Sequence, residues 1–232
     1  RIYFKKTIFF GYLMCGVIGI ELNGIEDEDI SLIHKIFLQT MIRGKHATGI
    51  SYRKGSKIIT IKENLSADNF LKKIQFEEFV DNDSLCLLGH IRYSTSDLRY
   101  PQPFSSDKYS IVHNGVISQE DSSTWKYKTE TANDSELILR SLEHGNDPLL
   151  DFIPSSMAVV MLDIEKGITG FRNESRPLWL TTLPKGIVFT STKNIAIRSG
   201  LSNPKRCEMY VKYSQKETIK VKRPKNVKDM QP

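Results

Sequence analysis

Cys15 is the residue of this chain that is best placed to act as a nucleophile, because it follows Met14, a candidate initiator residue. A cysteine that begins the mature chain carries its own α-amino group beside its thiol. That amine has a pKa of about 8, so it can serve as the local base without a histidine partner. The alternative interpretation is a structural cysteine buried in a strand, the usual environment of a free thiol.

Arg92 is a candidate clamp for a carboxylate. It lies in the segment 89–97, where an apolar run ends and a strand is expected to leave the core. A guanidinium can hold a carboxylate through two parallel hydrogen bonds, which a lysine cannot do. The alternative is an ordinary surface ion pair.

Asn114 and Gly115 are the last two residues of a predicted strand over 109–115. An asparagine side chain next to a glycine N–H offers two donors where a substrate can approach closely, as an oxyanion hole requires. Asn-Gly is also the strongest short turn signal. We therefore expect this strand to end in a tight turn.

Two further segments carry polar residues beside predicted helices. In 133–136, Asp134 is a candidate ligand for a substrate ammonium, or it caps the following helix. In 43–49, Gly44 belongs to a glycine-containing loop that a helix C-cap would also explain.

Hydrophobic patterning predicts mostly strands, with a few helices among them. Helices are expected over 26–43, 66–75, 133–145 and 194–201. Strands are expected over 15–22, 47–54, 57–63, 84–94, 155–163, 167–173, 177–183 and 186–192, with a terminal hairpin over 208–214 and 218–222. The elements come in groups rather than in strict alternation. This favours an α+β fold of antiparallel sheets with helices layered on them.

The composition is that of an ordinary globular chain of 232 residues with three widely spaced cysteines. So few cysteines predict no disulfide framework, and a reducing, cytoplasmic setting is the better interpretation. No Pro/Gly/Ser-rich linker divides the chain, so we expect one domain over residues 15–204.

The positive charge is concentrated at the two ends. Residues 205–228 hold nine Lys or Arg against two Glu. We expect residues 205–232 to form a solvated basic hairpin or tail, with docking to an acidic partner or to nucleic acid as the alternatives. Residues 1–14 are a secretory signal, a propeptide, or an upstream segment of a mis-assigned start at Met14, which we favour. The apolar run there is too short to span a bilayer.

The order of these motifs resembles the glutaminase domain of class II glutamine amidotransferases, which have an N-terminal nucleophile. The chain shows Cys-Gly at 15–16, Arg-Gly at 43–44, Gly-His-Ile-Arg-Tyr-Ser-Thr at 89–95, Gln-Pro-Phe at 102–104, His-Asn-Gly at 113–115 and Asp-Ser-Glu at 134–136. The resemblance runs from Cys15 to at least Glu136 and more loosely to about residue 200. It implies a four-layer αββα sandwich of two antiparallel sheets.

The resemblance also implies a role for each matching residue. Cys15 would attack the side-chain amide of L-glutamine and form a glutamyl thioester, with Asn114 and Gly115 as the oxyanion hole. The substrate head would be held by the residues that match the family's binding positions, which are Arg92, Thr95, Asp134 and Gly44. The family reaction requires no cofactor and no metal. The released ammonia would pass to a synthase on another chain or in a domain missing from this sequence.

Three departures indicate a divergent branch of the family, for which a phage-type origin is one interpretation. His46 stands where the family usually has Asp, Asp97 follows Ser96 where Gly is frequent, and an Asn usually found shortly after His-Asn-Gly is missing. None of them removes a predicted catalytic group. Two alternatives stay open: an amidase of the same type acting on another small amide, and an idle binding or scaffolding module.

Overall fold

The computed structural model describes residues 15–93, 99–153, 155–173 and 176–222. These residues form thirteen strands and five α-helices. The strands are β1 (Gly16–Asn23), β2 (Ala47–Lys54), β3 (Lys57–Glu63), β4 (Ser84–Arg92), β5 (Phe104–Ser105), β6 (Tyr109–Val116), β7 (Ser156–Asp163), β8 (Gly167–Arg172), β9 (Trp179–Leu183), β10 (Gly186–Thr190), β11 (Lys205–Arg206), β12 (Val211–Ser214) and β13 (Thr218–Lys220). The helices are α1 (Asp27–Thr40), α2 (Ala67–Phe70), α3 (Glu136–Glu143), α4 (Pro148–Asp151) and α5 (Lys193–Ser199).

The strands form two antiparallel sheets. The first sheet has seven strands in the order β11-β9-β10-β1-β4-β2-β3. The second has six strands in the order β13-β12-β8-β7-β6-β5. The predicted hairpin at the end of the chain is confirmed: β12 pairs with β13, and β12 also pairs with β8. Residues 205–222 therefore add strands to both sheets, while the boundary at residue 204 stays a prediction.

Three apolar clusters show that the sheets and helices stack in four layers. One cluster joins α1 to the first sheet, with Ile33 and Phe37 against Ile20. A second fills the space between the sheets, where Leu88 and Val160 are fully buried. A third joins α3 to the second sheet. The predicted αββα sandwich is confirmed, because each sheet has one helical face and one face against the other sheet.

Helix α1 shows how local sequence sets an element that borders the site. A capping box at its start links Glu26 and Asp29, whose Oδ2 accepts a hydrogen bond from Glu26 N–H at 2.9 Å. Apolar residues at helical spacing then face the first sheet. A 3₁₀ turn over Met41–Arg43 follows, and the chain becomes extended at Gly44.

One prediction of local structure is wrong. Asn114 and Gly115 do not lie in a turn: β6 continues to Val116, and the two residues pair with Ala158 and Met157 of β7. Gly115 has φ +155, a conformation that glycine adopts without strain. A Cβ there would lie 1.8 Å from Ser156 O. The long pairing with β7 thus overrides the local turn preference of Asn-Gly.

All three cysteines, each within the described residues, are free thiols. Within the same ranges, no helix combines the length and the apolar character that crossing a lipid bilayer requires.

Candidate active site

A small polar cavity of about 180 Å³ lies near the beginning of β1 and the C-terminal ends of β4 and β6. It brings together five of the residues predicted from sequence, which are Cys15, Arg92, Asn114, Gly115 and Asp134. Its lining is Cys15, His90, Arg92, Tyr93, Tyr100, Gln102, His113, Asn114, Gly115, Asn133, Asp134 and Ser135. The volume is below the roughly 300–1,000 Å³ typical of sites for drug-sized ligands, so a compact metabolite fits it better than a polymer does.

Cys15 is half-buried just before β1, and its thiol donates to Tyr93 O over 3.7 Å. Burial raises the pKa of the Cys15 thiol, and the positive charges of Arg92 and Arg43 oppose that rise. A thiol with a raised pKa requires a base if it is to act as a nucleophile. Gly16, the next residue, permits the close approach of α1: a Cβ there would lie 2.2 Å from the Thr40 side chain.

Arg92 ends β4 and lies on the cavity wall, where its Nη1 donates to Tyr100 O at 2.8 Å. The backbone around it is held by the loop that contains Gly44. His46 N–H donates to Arg92 O at 3.0 Å, and a Cβ on Gly44 would lie 2.4 Å from that same carbonyl. Gly44 therefore packs against the backbone of Arg92 and is not part of the cavity lining. Thr95 lies outside the described residues.

Asn114 is buried in β6, and its Nδ2 has no hydrogen-bond partner among the described residues. A buried amide without a partner costs free energy, on the order of 1–3 kcal/mol. Such a donor in a cavity wall is suited to an acceptor that arrives with a ligand. Gly115 lies beside it in the same wall.

Asp134 precedes α3 and does not cap it. Its Oδ2 accepts from Ile117 N–H at 2.6 Å and Ser118 N–H at 3.2 Å. No hydrogen bond to its Oδ1 is found among the described residues, and Asp134 is part of the cavity lining. A fixed carboxylate and the Arg92 guanidinium thus face one cavity with opposite charges.

Two buried histidines and Gln102 form the deeper wall, and we assigned none of them a role from sequence. Gln102 bridges segments: its Oε1 accepts from His113 N–H at 2.6 Å, and its Nε2 donates to His113 O at 3.1 Å. His113 Nδ1 lies 2.9 Å from Ser135 Oγ. Burial lowers the pKa of His90 to about 3 and that of His113 to about 4, so both imidazoles are neutral near pH 7. In the sequence, Gln102 and His113 could have been found only through the Gln-Pro-Phe and His-Asn-Gly motifs to which they belong.

No family model matches the sequence, but individual known proteins are similar to it. The glutamine–fructose-6-phosphate aminotransferase (isomerizing) of Oceanobacillus iheyensis is 22% identical over 234 residues, covering 90% of this chain and 36% of the relative. The fold matches the glutamine phosphoribosylpyrophosphate amidotransferase from B. subtilis complexed with ADP and GMP. That match has a TM-score of 0.69 at 16% identity, over 88% of this chain and 48% of the other.

A second solved structure, described as the allosteric regulatory enzyme of purine biosynthesis, matches with a TM-score of 0.67 at 16% identity. The match covers 92% of this chain and 50% of that one. The resemblance to class II glutamine amidotransferases is confirmed. The fold is that of the N-terminal-nucleophile hydrolases.

This amidotransferase-like chain spans about a third of the length of its curated relative and about half of the two solved structures. The activities for which those longer proteins are named therefore belong to them. The fold and the lining of the cavity are what this chain itself contributes.

Proposed function

We propose that this chain is the glutaminase domain of a glutamine amidotransferase, which hydrolyses L-glutamine to glutamate and ammonia. One observation carries the proposal: a single small cavity is lined by the Cys15 thiol, the Arg92 guanidinium, the Asp134 carboxylate and the Asn114 amide, whose Nδ2 has no partner in the part of the chain that the structure describes. Arg92 and Asp134 would hold the α-carboxylate and α-ammonium of glutamine. Fixing both charges would set the side-chain amide over the thiol.

The proposed reaction runs through a thioester. Cys15 Sγ attacks the amide carbon, and its proton passes by way of the Cys15 α-amine to the departing nitrogen, which leaves as ammonia when the C–N bond breaks. Asn114 Nδ2 and Gly115 N–H would stabilise the oxyanion. Water then hydrolyses the thioester and releases glutamate. The proposal therefore requires a mature chain that begins at Cys15 with a free amine, whether residues 1–14 are a propeptide or lie upstream of a start at Met14, and it involves no metal or organic cofactor.

The ammonia would be used by a synthase site outside the described residues. The curated relative is named for an aminotransferase reaction on fructose 6-phosphate, and this chain covers only 36% of it. We infer that the acceptor lies in a further domain or in a separate partner chain. A reducing, cytoplasmic setting suits a reaction that depends on the free thiol of Cys15.

The test is ammonia and glutamate release from L-glutamine, using protein verified by mass to begin at Cys15. Release should vanish in Cys15→Ala and persist in Cys86→Ala, which removes a buried thiol of β4 outside the cavity. Equal release from Cys15→Ala, or none from a chain with a free Cys15 amine, would contradict the proposal.

Arg92→Ala separates glutamine from other small amides. If Arg92 grips the α-carboxylate, its loss should raise KM for glutamine by roughly 10²-fold or more, because a charged hydrogen bond of about 3 kcal/mol is removed. Steady-state kinetics with glutamine and with an amide that lacks the amino-acid head measure this. An unchanged KM would favour an amidase of different specificity.

A further inference from the structure

Each sheet has two edge strands, and these four strands differ in length. Strands β11 and β5 are only two residues long and β13 only three, so three of the four edges offer few unpaired backbone groups. The fourth edge is β3, which has seven residues. A long edge strand with free N–H and C=O groups is a template for pairing with another strand.

The backbone groups that β3 presents follow from its hairpin. Strands β2 and β3 are joined by a two-residue turn at 55–56, which makes Lys54 and Lys57 a hydrogen-bonded pair. Bonded and non-bonded pairs then alternate along an antiparallel ladder. The N–H and C=O groups of Ile58, Thr60 and Lys62 therefore point away from β2. In the described ranges, no backbone hydrogen bond joins that side of β3 to another segment.

The side chains of β3 leave apolar surface at the same edge. Ile59 and Ile61 pack against the cluster under α1, and Ile58 packs against the cluster between the sheets, but all three are only partly buried. A strand laid along this edge would cover the exposed parts of these isoleucines. Burial of apolar area is the main favourable term in such an association.

We propose that β3 is an interface at which two copies of this chain pair edge to edge, antiparallel, about a two-fold axis at Thr60. The sequence of β3 is complementary to itself in this register. Lys57 lies opposite Glu63 of the second copy, and Ile59 lies opposite Ile61 of the second copy. Because the axis relates the copies, each contact is made twice.

The register also satisfies the backbone. Thr60 faces Thr60 of the second copy, and Ile58 faces Lys62 of the second copy, so every outward-pointing pair consists of residues whose N–H and C=O groups are free. A shift by one residue would set outward groups against inward ones and break this ladder. A shift by two would separate Lys57 from Glu63 of the second copy.

The charges along the edge oppose pairing in other registers. Lysines on an edge strand repel a like-charged strand, but in this register Glu63 of the second copy neutralises Lys57. Glu63 also lies 3.6 Å from Lys73 of its own chain. Both side chains of that pair are largely exposed, so the contact is weak and can be exchanged for one across the interface.

The test is the mass of the chain in solution at low ionic strength, measured by sedimentation equilibrium. The wild-type chain should be a dimer. Lys57→Glu and Glu63→Lys should each be monomeric, because every cross-strand charge pair becomes repulsive. Mixing the two variants should restore a one-to-one dimer, since both acidic side chains of the Lys57→Glu chain then face lysines of the other chain. Lys220→Glu on the edge strand β13 is the matched control and should remain dimeric.

Circular dichroism and thermal unfolding verify that the single variants stay folded. A monomeric wild-type chain would overturn the proposal, as would dimers of both single variants. A mixture that stays monomeric would also overturn it. None of these outcomes depends on glutaminase activity, because Lys57 and Glu63 lie outside the catalytic cavity.

Discussion

Two buried polar groups in the cavity wall have no hydrogen-bond partner among the described residues. These are the Asn114 amide nitrogen and both ring nitrogens of His90. Proteins seldom leave buried polar atoms unsatisfied, so such atoms in a cavity point to an occupant that completes them. The two groups have different consequences. Asn114 bears on the rate of reaction and His90 on stability.

Asn114→Ala should lower kcat for glutamine hydrolysis by roughly 10²–10³-fold with little change in KM, because the oxyanion forms only in the transition state. The isosteric Asn114→Asp, which offers a negative charge in place of the donor, should be at least as impaired. Steady-state kinetics on chains beginning at Cys15 measure both variants. A rise in KM at unchanged kcat would show that Asn114 binds the ground state instead.

His90 should make the fold sensitive to mild acid. Burial lowers its pKa from 6.5 to about 3, so between these values the unfolded chain binds a proton that the folded chain does not. As pH falls below about 6.5, His90 therefore lowers the free energy of unfolding by about 1.4 kcal/mol per pH unit. In urea titrations, the free energy of unfolding of His90→Leu should fall less between about pH 7 and about pH 5 than that of the wild-type chain. Identical pH dependence in both proteins would contradict this.

At the scale of elements, the segment before α3 is organised by one buried carboxylate. Glu136 accepts hydrogen bonds from the backbone N–H groups of Glu130 and Thr131, both at 2.8 Å, and it pairs with Arg140 at 2.7 Å. Burial raises the pKa of Glu136, but these hydrogen bonds outweigh that effect and bring it below its ordinary value. The segment that it fixes leads into Asp134.

Glu136→Gln should therefore lower the free energy of unfolding by about 1–3 kcal/mol and raise KM for glutamine, because the approach to Asp134 loosens. The matched control is Glu143→Gln, which breaks another contact of Arg140 at 2.9 Å on the surface of the same helix. The control should cost less than about 0.5 kcal/mol and leave KM unchanged. Equal effects of the two variants would show that Glu136 is only a surface partner of Arg140.

The elements that the sequence predicted well are those with long patterns. Strand β4 and helix α1 carry enough apolar residues to show their period. Strands β5 and β11 have two residues each, too few to show any period, and they were not predicted. At the candidate site, the motifs predicted Cys15, Arg92 and Asn114, and the structure places all three in the lining of one cavity. The bonds between Gln102 and His113 join segments whose contact depends on sheet pairing, which a motif does not encode.

At the scale of the whole molecule, residues 205–222 contribute strands to both sheets. Strand β11 pairs with β9 in the first sheet, and β12 pairs with β8 in the second. Between them, Cys207 is buried in the cluster between the sheets and its carbonyl accepts from Arg172 Nε at 2.8 Å. This segment follows the boundary that we predicted at residue 204.

Truncation distinguishes a tail from a part of the core. A chain ending at residue 204 should lose most of its stability, since removing the buried side chains of Cys207 and Val211 costs several kcal/mol against a total of about 5–15 kcal/mol. A chain ending at residue 222 keeps every described strand and should unfold at nearly the wild-type Tm. Calorimetry on both chains measures this. A wild-type Tm for the chain that ends at residue 204 would place the end of the domain there. A much lower Tm for that chain would extend the domain through β13, because a sheet that loses its outer strands exposes both the core and a new edge.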